Sequence, residues 1–121
     1  YHFLKDFMIT HSGIPPKLFG VKSVEEDIST KDFLFNRNEF LVYQELFNNN
    51  YRIIFGHTGF YYPFVDQFKI GIDTGACYLG TQPLTSFCIE EEYFVNSNKE
   101  IYALDYIADI CPNIIRLPKS I

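Results

Sequence analysis

The stretch that most constrains the fold is YRIIFGHT, residues 51–58, an apolar run that stops at a glycine and a histidine. Apolar side chains at consecutive strand positions are typical of a sheet covered on both faces, and such sheets are mostly parallel. Of the 121 residues, 47% are hydrophobic and 18% are aromatic, with no Trp. Because Phe and Tyr favour strands, the sequence predicts one strand-rich α/β domain.

Turn residues divide the rest of the chain into further elements. The segment 18–48 is the one helical region that we expect. A serine that could cap a helix is followed by acidic residues, and the apolar residues further along have partly helical spacing. Asn96-Ser97-Asn98 is expected to form a hairpin turn. Strands are expected at 5–11, 51–57, 68–75, 84–96 and 99–107.

The charge and the cysteines exclude some classes of protein. The net charge of −5 and the lack of a basic patch argue against binding to a nucleic-acid backbone. No run of 18 apolar residues and no signal-peptide pattern is present, so no membrane partner is expected. Cys77, Cys88 and Cys111 form no Cys-x-x-Cys pair and are expected to be reduced, buried thiols of a cytoplasmic protein.

Two histidines and one arginine are the main candidates for chemistry. His11 and His57 each follow an apolar run and precede a turn. Imidazoles at neighbouring strand ends can share a Zn, Fe or Mn ion, although a lone histidine after a strand is more often structural. Arg37 lies in LFNRNEF. It is either a surface helix residue paired with Glu39 or a nearby acid, or a planar donor to a phosphate.

The polar residues that follow the later strands have more than one interpretation. Asp73 ends the run KIGI and is a turn former, a hydrogen-bond partner of a histidine ring or a metal ligand. Glu90-Glu91-Glu92 is expected to be a solvated edge. Phosphate-binding glycine loops, nucleophile elbows and His-Glu-x-x-His helices do not occur in the chain.

Four stretches occur along the chain in this order: FMITHSGIPP, LFNRNEFL, IIFGHTGF and IGIDTGACYLGTQPLTSFCIEE. Together they resemble the calcineurin-like metallophosphoesterases, over roughly residues 3–95. They are similar to that family's His-Ala/Gly-Gly, Leu-Trp-x-Arg, Gly-His-Thr-Pro and Ile-Asp-Thr-Gly-Ala…Gly-x-Leu-Thr segments. Phe35 stands where tryptophan is usual, and Gly59 replaces the proline. The resemblance is greatest to the bacterial and phage-type serine/threonine phosphatases and the symmetrical diadenosine tetraphosphatases.

The resemblance implies a role for each matching residue. His11 and His57 would bind one of two adjacent divalent metal ions, Mn, Fe or Zn, and Arg37 would contact the substrate phosphate. The fold implied is the family's αββα sandwich, of which residues 1–121 would supply the C-terminal portion of a single domain. Contacts with the metals or their ligands at the rim of the same site are implied for Asp73, Thr74 and Tyr78.

Three motifs of the family do not occur in the chain: Gly-Asp-x-His, Gly-Asp-x-x-Asp and Gly-Asn-His-Glu/Asp. In the family they precede the matching region and supply the other metal ligands and the catalytic acid histidine. Two-metal hydrolysis requires cations about 3.5–4 Å apart, which two neutral histidines cannot hold alone. We therefore expect a cytoplasmic phosphatase for phosphoproteins or dinucleoside polyphosphates that is inactive without its N-terminal half. The alternative is a non-catalytic, β-rich module that binds phosphate or a protein.

Overall fold

The computed structural model of the chain describes residues 1–19, 38–77 and 81–110. These ranges contain a 3-10 helix (Pro16–Leu18) and two α-helices, α1 (Asn38–Val42) and α2 (Leu104–Ile110). Their eight strands are β1 (His2–Leu4), β2 (Phe7–Ile9), β3 (Arg52–Phe55), β4 (Phe64–Val65), β5 (Lys69–Gly71), β6 (Thr85–Cys88), β7 (Tyr93–Asn96) and β8 (Ile101–Ala103).

The strands form two sheets. The five-stranded sheet has the order β1-β2-β3-β5-β4, with β1 antiparallel to β2, β2 parallel to β3, and β4 antiparallel to β5. The three-stranded sheet β6-β7-β8 is antiparallel throughout. Over the described ranges the chain is thus a strand-rich α/β protein with two sheets and few helices, as the sequence predicts at this coarse level.

The chain divides into two compact units. The first comprises Tyr1–His57 and Gln67–Lys69, and the second comprises Thr58–Asp66 and Ile70–Ile121. Each unit has its own set of buried apolar side chains. In the first unit these are Phe7, Met8, Ile14, Leu18, Phe19, Phe40, Phe47, Ile53, Ile54 and Phe55.

The central strand of the five-stranded sheet is β3, where the prediction of a strand covered on both faces is confirmed. Ile53, Ile54 and Phe55 are consecutive and all buried, so both faces of the strand are covered. Phe55 packs edge-on against Phe40 of α1, with the ring centroids 5.0 Å apart. Burial of a Phe or Ile side chain contributes about 1.5–3 kcal/mol, so this cluster holds β3 firmly in place.

The strand expected over 5–11 is confirmed only at residues 7–9, where β2 lies. Lys5 and Asp6, at its expected start, instead form the turn of a hairpin between β1 and β2, and Lys5 adopts a φ of 54°. Because no Gly or Pro marks this turn, the apolar pattern on either side of it gives no sign that the strand is broken there. The strand that carries His11 is therefore short, and it ends two residues before the histidine.

In the second unit, the strand expected over 84–96 is also interrupted. Two strands, β6 and β7, pair through an exposed turn that holds Glu90 and Glu91, with Glu92 at a φ of 52°. The acidic run is thus a solvated turn. The hairpin predicted at Asn96-Ser97-Asn98 is confirmed, because β7 and β8 pair around it.

Two expectations about helices and cysteines need correction. The sequence predicted one helical region, but α1 and α2 lie at distant positions, and most of the predicted segment, 20–37, is outside the described residues. Cys77 is an exposed free thiol and Cys88 a half-buried one, so burial was wrong for Cys77, while Cys111 is outside the described residues.

No helix in the described ranges is both long and apolar enough to cross a bilayer.

Candidate metal centre

His11 and His57 are brought together by the parallel pairing of β2 and β3. In that pairing Ile9 lies opposite Ile54. Two backbone hydrogen bonds continue it beyond the strand ends: the Thr10 N–H donates to Ile54 O at 2.9 Å, and the Gly56 N–H donates to His11 O at 2.7 Å. Because parallel strands end at the same sheet edge, the two histidines emerge side by side.

The two imidazole rings lie close together and are tilted against each other. Their centroids are 5.2 Å apart and their planes are inclined by 49°. The side chain of His11 is exposed and that of His57 is half-buried. A pair with this exposure can be reached by an ion from solvent while one ring is held by its surroundings.

The backbone at Gly56-His57 is unusual. His57 has a φ of 70°, in the left-handed region that costs most residues about 1–2 kcal/mol, although histidine occurs there more often than most side chains. At Gly56, a Cβ atom would lie only 3.2 Å from His11 O. Glycine at position 56 therefore permits the hydrogen bond between the two strand ends. The turn at His57 is the next position along the chain. Backbone strain of this kind clusters at functional sites.

The separation of the rings fits ligation of a single cation. A metal–nitrogen bond of about 2.1 Å places an imidazole centroid roughly 3.2 Å from the metal. Two rings at octahedral to tetrahedral angles then have centroids about 4.5–5.2 Å apart. The observed 5.2 Å lies at the tetrahedral end of this range. Neutral imidazole nitrogen is a donor that suits Zn, Fe or Mn.

The pair supplies only part of a coordination shell. Within residues 1–19, 38–77 and 81–110, no group of three or more His, Cys, Asp or Glu side chains is placed to hold a metal. A structural zinc site uses four protein ligands. Further ligands for a cation at His11 and His57 would therefore come from outside the described part of the chain or from another molecule.

Two of the other predicted site residues, Asp73 and Thr74, lie in the second unit. Asp73 belongs to the second unit, where its Oδ1 accepts the Gly75 N–H at 2.9 Å and forms a turn. Thr74 is buried, and its hydroxyl donates to Pro83 O at 2.6 Å and lies 2.7 Å from the Thr85 hydroxyl. Both residues thus have structural partners in the second unit. The predicted phosphate ligand and the third rim residue, Arg37 and Tyr78, are outside the described residues.

The second unit also contains a pocket that sequence reasoning missed. It has a volume of about 220 Å³, and its wall includes Tyr61, Tyr62, Tyr102 and Glu100. One signal was available in the sequence. Glu100 and Tyr102 are two positions apart around β8, a spacing that places side chains on one face of a strand.

A hydrogen bond between Glu100 and Tyr102 sets the electrostatics of this pocket. The Tyr102 hydroxyl donates to Glu100 Oε2 at 2.7 Å. This bond, and then the one from Asn96, holds the pKa of Glu100 below its usual value. The same bond to the carboxylate raises the pKa of Tyr102 to about 12. At neutral pH the pocket therefore presents an ionised carboxylate beside a protonated phenol.

Comparison with known proteins gives no match to the chain among protein-family profiles, curated proteins or solved structures. Its fold and site define a strand-rich α/β protein with a two-histidine candidate metal centre in one unit and an aromatic pocket in the other.

Proposed function

We propose that the chain is the C-terminal portion of a metal-dependent phosphoester hydrolase of the calcineurin-like metallophosphoesterase type. The observation that carries this proposal is the convergence of His11 and His57 at the ends of adjacent parallel strands, with ring centroids 5.2 Å apart. The two histidines belong to separate motifs that resemble the family, and neither motif requires the other to lie beside it. The αββα sandwich of that family is the proposed architecture of the complete domain.

In the proposed reaction, His11 and His57 hold one divalent cation of a pair through neutral ring nitrogens. The turn at Gly56 and the positive φ of His57 fix the direction of one ring. When bound, the cations supply Lewis-acid polarisation of the phosphoryl group and lower the pKa of a bound water. Arg37 is assigned to the phosphate, where its planar guanidinium offsets the negative charge of the phosphoryl oxygens.

The rest of the centre is assigned to an N-terminal half of the same domain. That half would provide carboxylates to balance the charge of the two cations and a histidine to protonate the leaving oxygen. The proposed substrate is a phosphoprotein or a dinucleoside polyphosphate. A cytoplasmic location is proposed because Cys77 and Cys88 are free thiols.

The experiment that tests this proposal compares two proteins, the 121-residue chain and the same chain extended upstream to its natural start. Hydrolysis of p-nitrophenyl phosphate is measured with and without Mn²⁺. We expect Mn²⁺-dependent turnover in the extended protein only, because the described residues hold no group of three or more candidate ligands and a two-metal site needs more than His11 and His57. No turnover in either protein would favour a non-catalytic module that binds phosphate or a protein. Turnover in the short chain would show that its ligands have been wrongly assigned.

A further inference from the structure

The pocket of the second unit is small and has aromatic walls. Its volume of about 220 Å³ is below the roughly 300–1,000 Å³ of sites for drug-sized ligands. The rings of Tyr62 and Tyr102 are nearly perpendicular, at 82°, with centroids 6.0 Å apart. Tyr61 also lines the pocket, and Tyr61 and Tyr62 are each 44% exposed. At this distance and angle the two rings are in direct edge-to-face contact, so a compact group would sit against this aromatic pair rather than between its members.

Behind Tyr102, a further ring limits its movement. Tyr106 of α2 stacks on Tyr102 with an angle of 8° between the ring planes and 5.9 Å between centroids. The hydroxyl of Tyr102 is held at the same time by Glu100. A ring fixed at both its face and its tip loses little further freedom when a ligand binds, which favours binding.

The carboxylate at the pocket is held in place before any ligand arrives. Asn96 Nδ2 donates to Glu100 Oε1 at 3.1 Å, while the Tyr102 hydroxyl donates to Oε2. The Asn96 side chain is itself fixed, because its Oδ1 accepts the backbone N–H groups of Asn98 and Glu100. Each carboxylate oxygen retains a free lone pair after these bonds. The charge is thus oriented, and it can still accept another donor or face a cation.

The described lining residues favour a cationic ligand over an anionic one. Glu100 is the only charged side chain among the described residues that line the pocket, and no Lys, Arg or His joins it. The chain as a whole carries a net charge of −5. Among these described residues the carboxylate repels a phosphate or carboxylate ligand, whereas it attracts a cation, and the neighbouring tyrosine rings attract a cation as well.

We infer that this pocket binds a small organic ammonium group, quaternary or methylated, seated against the lining tyrosines Tyr61, Tyr62 and Tyr102 with Glu100 as the counter-charge. Such a group combines a positive charge with an apolar surface, and an aromatic cage is the environment that recognises it. A choline-like headgroup and a methylated lysine side chain share this chemistry. The inference is independent of the two-histidine site and of the proposed hydrolase activity.

The test is an NMR titration of the 121-residue chain with choline and with 3,3-dimethylbutan-1-ol, its neutral isostere. We expect saturable shifts at the pocket tyrosines with choline, and binding of the isostere at least about fivefold weaker, because the cation–π and carboxylate terms are lost. A peptide that carries trimethyllysine, compared with its unmodified form, identifies the source. Tighter binding of that peptide than of choline indicates a methylated protein, and equal binding indicates a free headgroup.

Variants assign the binding to the pocket. Glu100→Gln and Tyr62→Ala are each expected to weaken choline binding at least about fivefold. Glu91→Gln, an exposed charge at the β6–β7 turn, is the matched control and should leave binding unchanged. Equal affinity for choline and its isostere would overturn the inference. So would the absence of saturation, or full binding by a folded Glu100→Gln variant.

Discussion

Replacing His57 by alanine in the upstream-extended chain is expected to reduce Mn²⁺-dependent hydrolysis of p-nitrophenyl phosphate by at least about 100-fold. Loss of a residue that merely supports a metal ligand costs about 10- to 100-fold, and loss of the ligand itself should cost more. His11→Ala should have an effect of similar size, because the two rings lie 5.2 Å apart and are proposed to share one cation. Activity is measured over a range of Mn²⁺ concentrations, and high Mn²⁺ should restore part of it.

Two comparisons make this result specific to the pair. The double variant should lose less than the product of the two single losses, since residues that act as a unit are not additive. His2→Ala, which removes an exposed histidine of β1, is the matched control and should retain full activity. Retention of activity within threefold by either single variant would remove that histidine from the centre.

Gly13→Ala is expected to destabilise the chain by about 3 kcal/mol, and to lower its Tm by about 10 °C. Gly13 has a φ of 100°, which an alanine adopts only under strain. An added Cβ would also lie 2.4 Å from Cδ2 of Phe40. The Phe40 ring cannot retreat, because it is 1% exposed, packs against Phe55 and has Lys69 Nζ 5.8 Å from its centroid. Urea unfolding measures the change in the free energy of unfolding.

A second substitution separates steric overlap from backbone strain. In a Phe40→Leu background the cost of Gly13→Ala should fall, because the smaller side chain leaves room for the Cβ. Gly56→Ala is the matched control, with ordinary φ and a 3.2 Å contact, and should cost less than half as much. If Gly13→Ala unfolds at the same urea concentration as the parent chain, the packing of Phe40 on Gly13 is not as described.

The parts of the fold that could be predicted are those that a local pattern determines. The continuous apolar run predicted β3, since burial on both faces leaves a direct mark on the sequence. The Asn-rich turn between β7 and β8 was predicted because asparagine side chains close such turns. The turns at Lys5 and Glu92 were missed. In both cases a residue other than glycine adopts positive φ, and tertiary pairing stabilises that conformation without a local signal.

In the candidate site, too, local features could be predicted from the sequence and long-range contacts could not. Both histidines were recognised from their position after apolar runs, but their proximity depends on the register of β2 with β3, which no local pattern encodes. The pocket of the second unit was missed for a related reason. Tyr61 and Tyr62 lie about 40 positions from Tyr102 in the sequence, and only the fold places Tyr62 against Tyr102.

The central claim is that His11 and His57 share one divalent cation, and the most direct measurement is the ¹⁵N NMR shift of the histidine ring nitrogens on addition of Zn²⁺. The measurement is made near pH 7.5, because imidazole binds a metal through a neutral ring nitrogen. One ring nitrogen of His11 and one of His57 should shift together and saturate at one Zn²⁺ per chain, while His2 remains unchanged. His57→Ala should weaken the response of His11 at least tenfold. The shared site would be contradicted if the ¹⁵N shifts of His11 and His57 saturated at different Zn²⁺ concentrations, or if the shift of His2 changed as much as theirs.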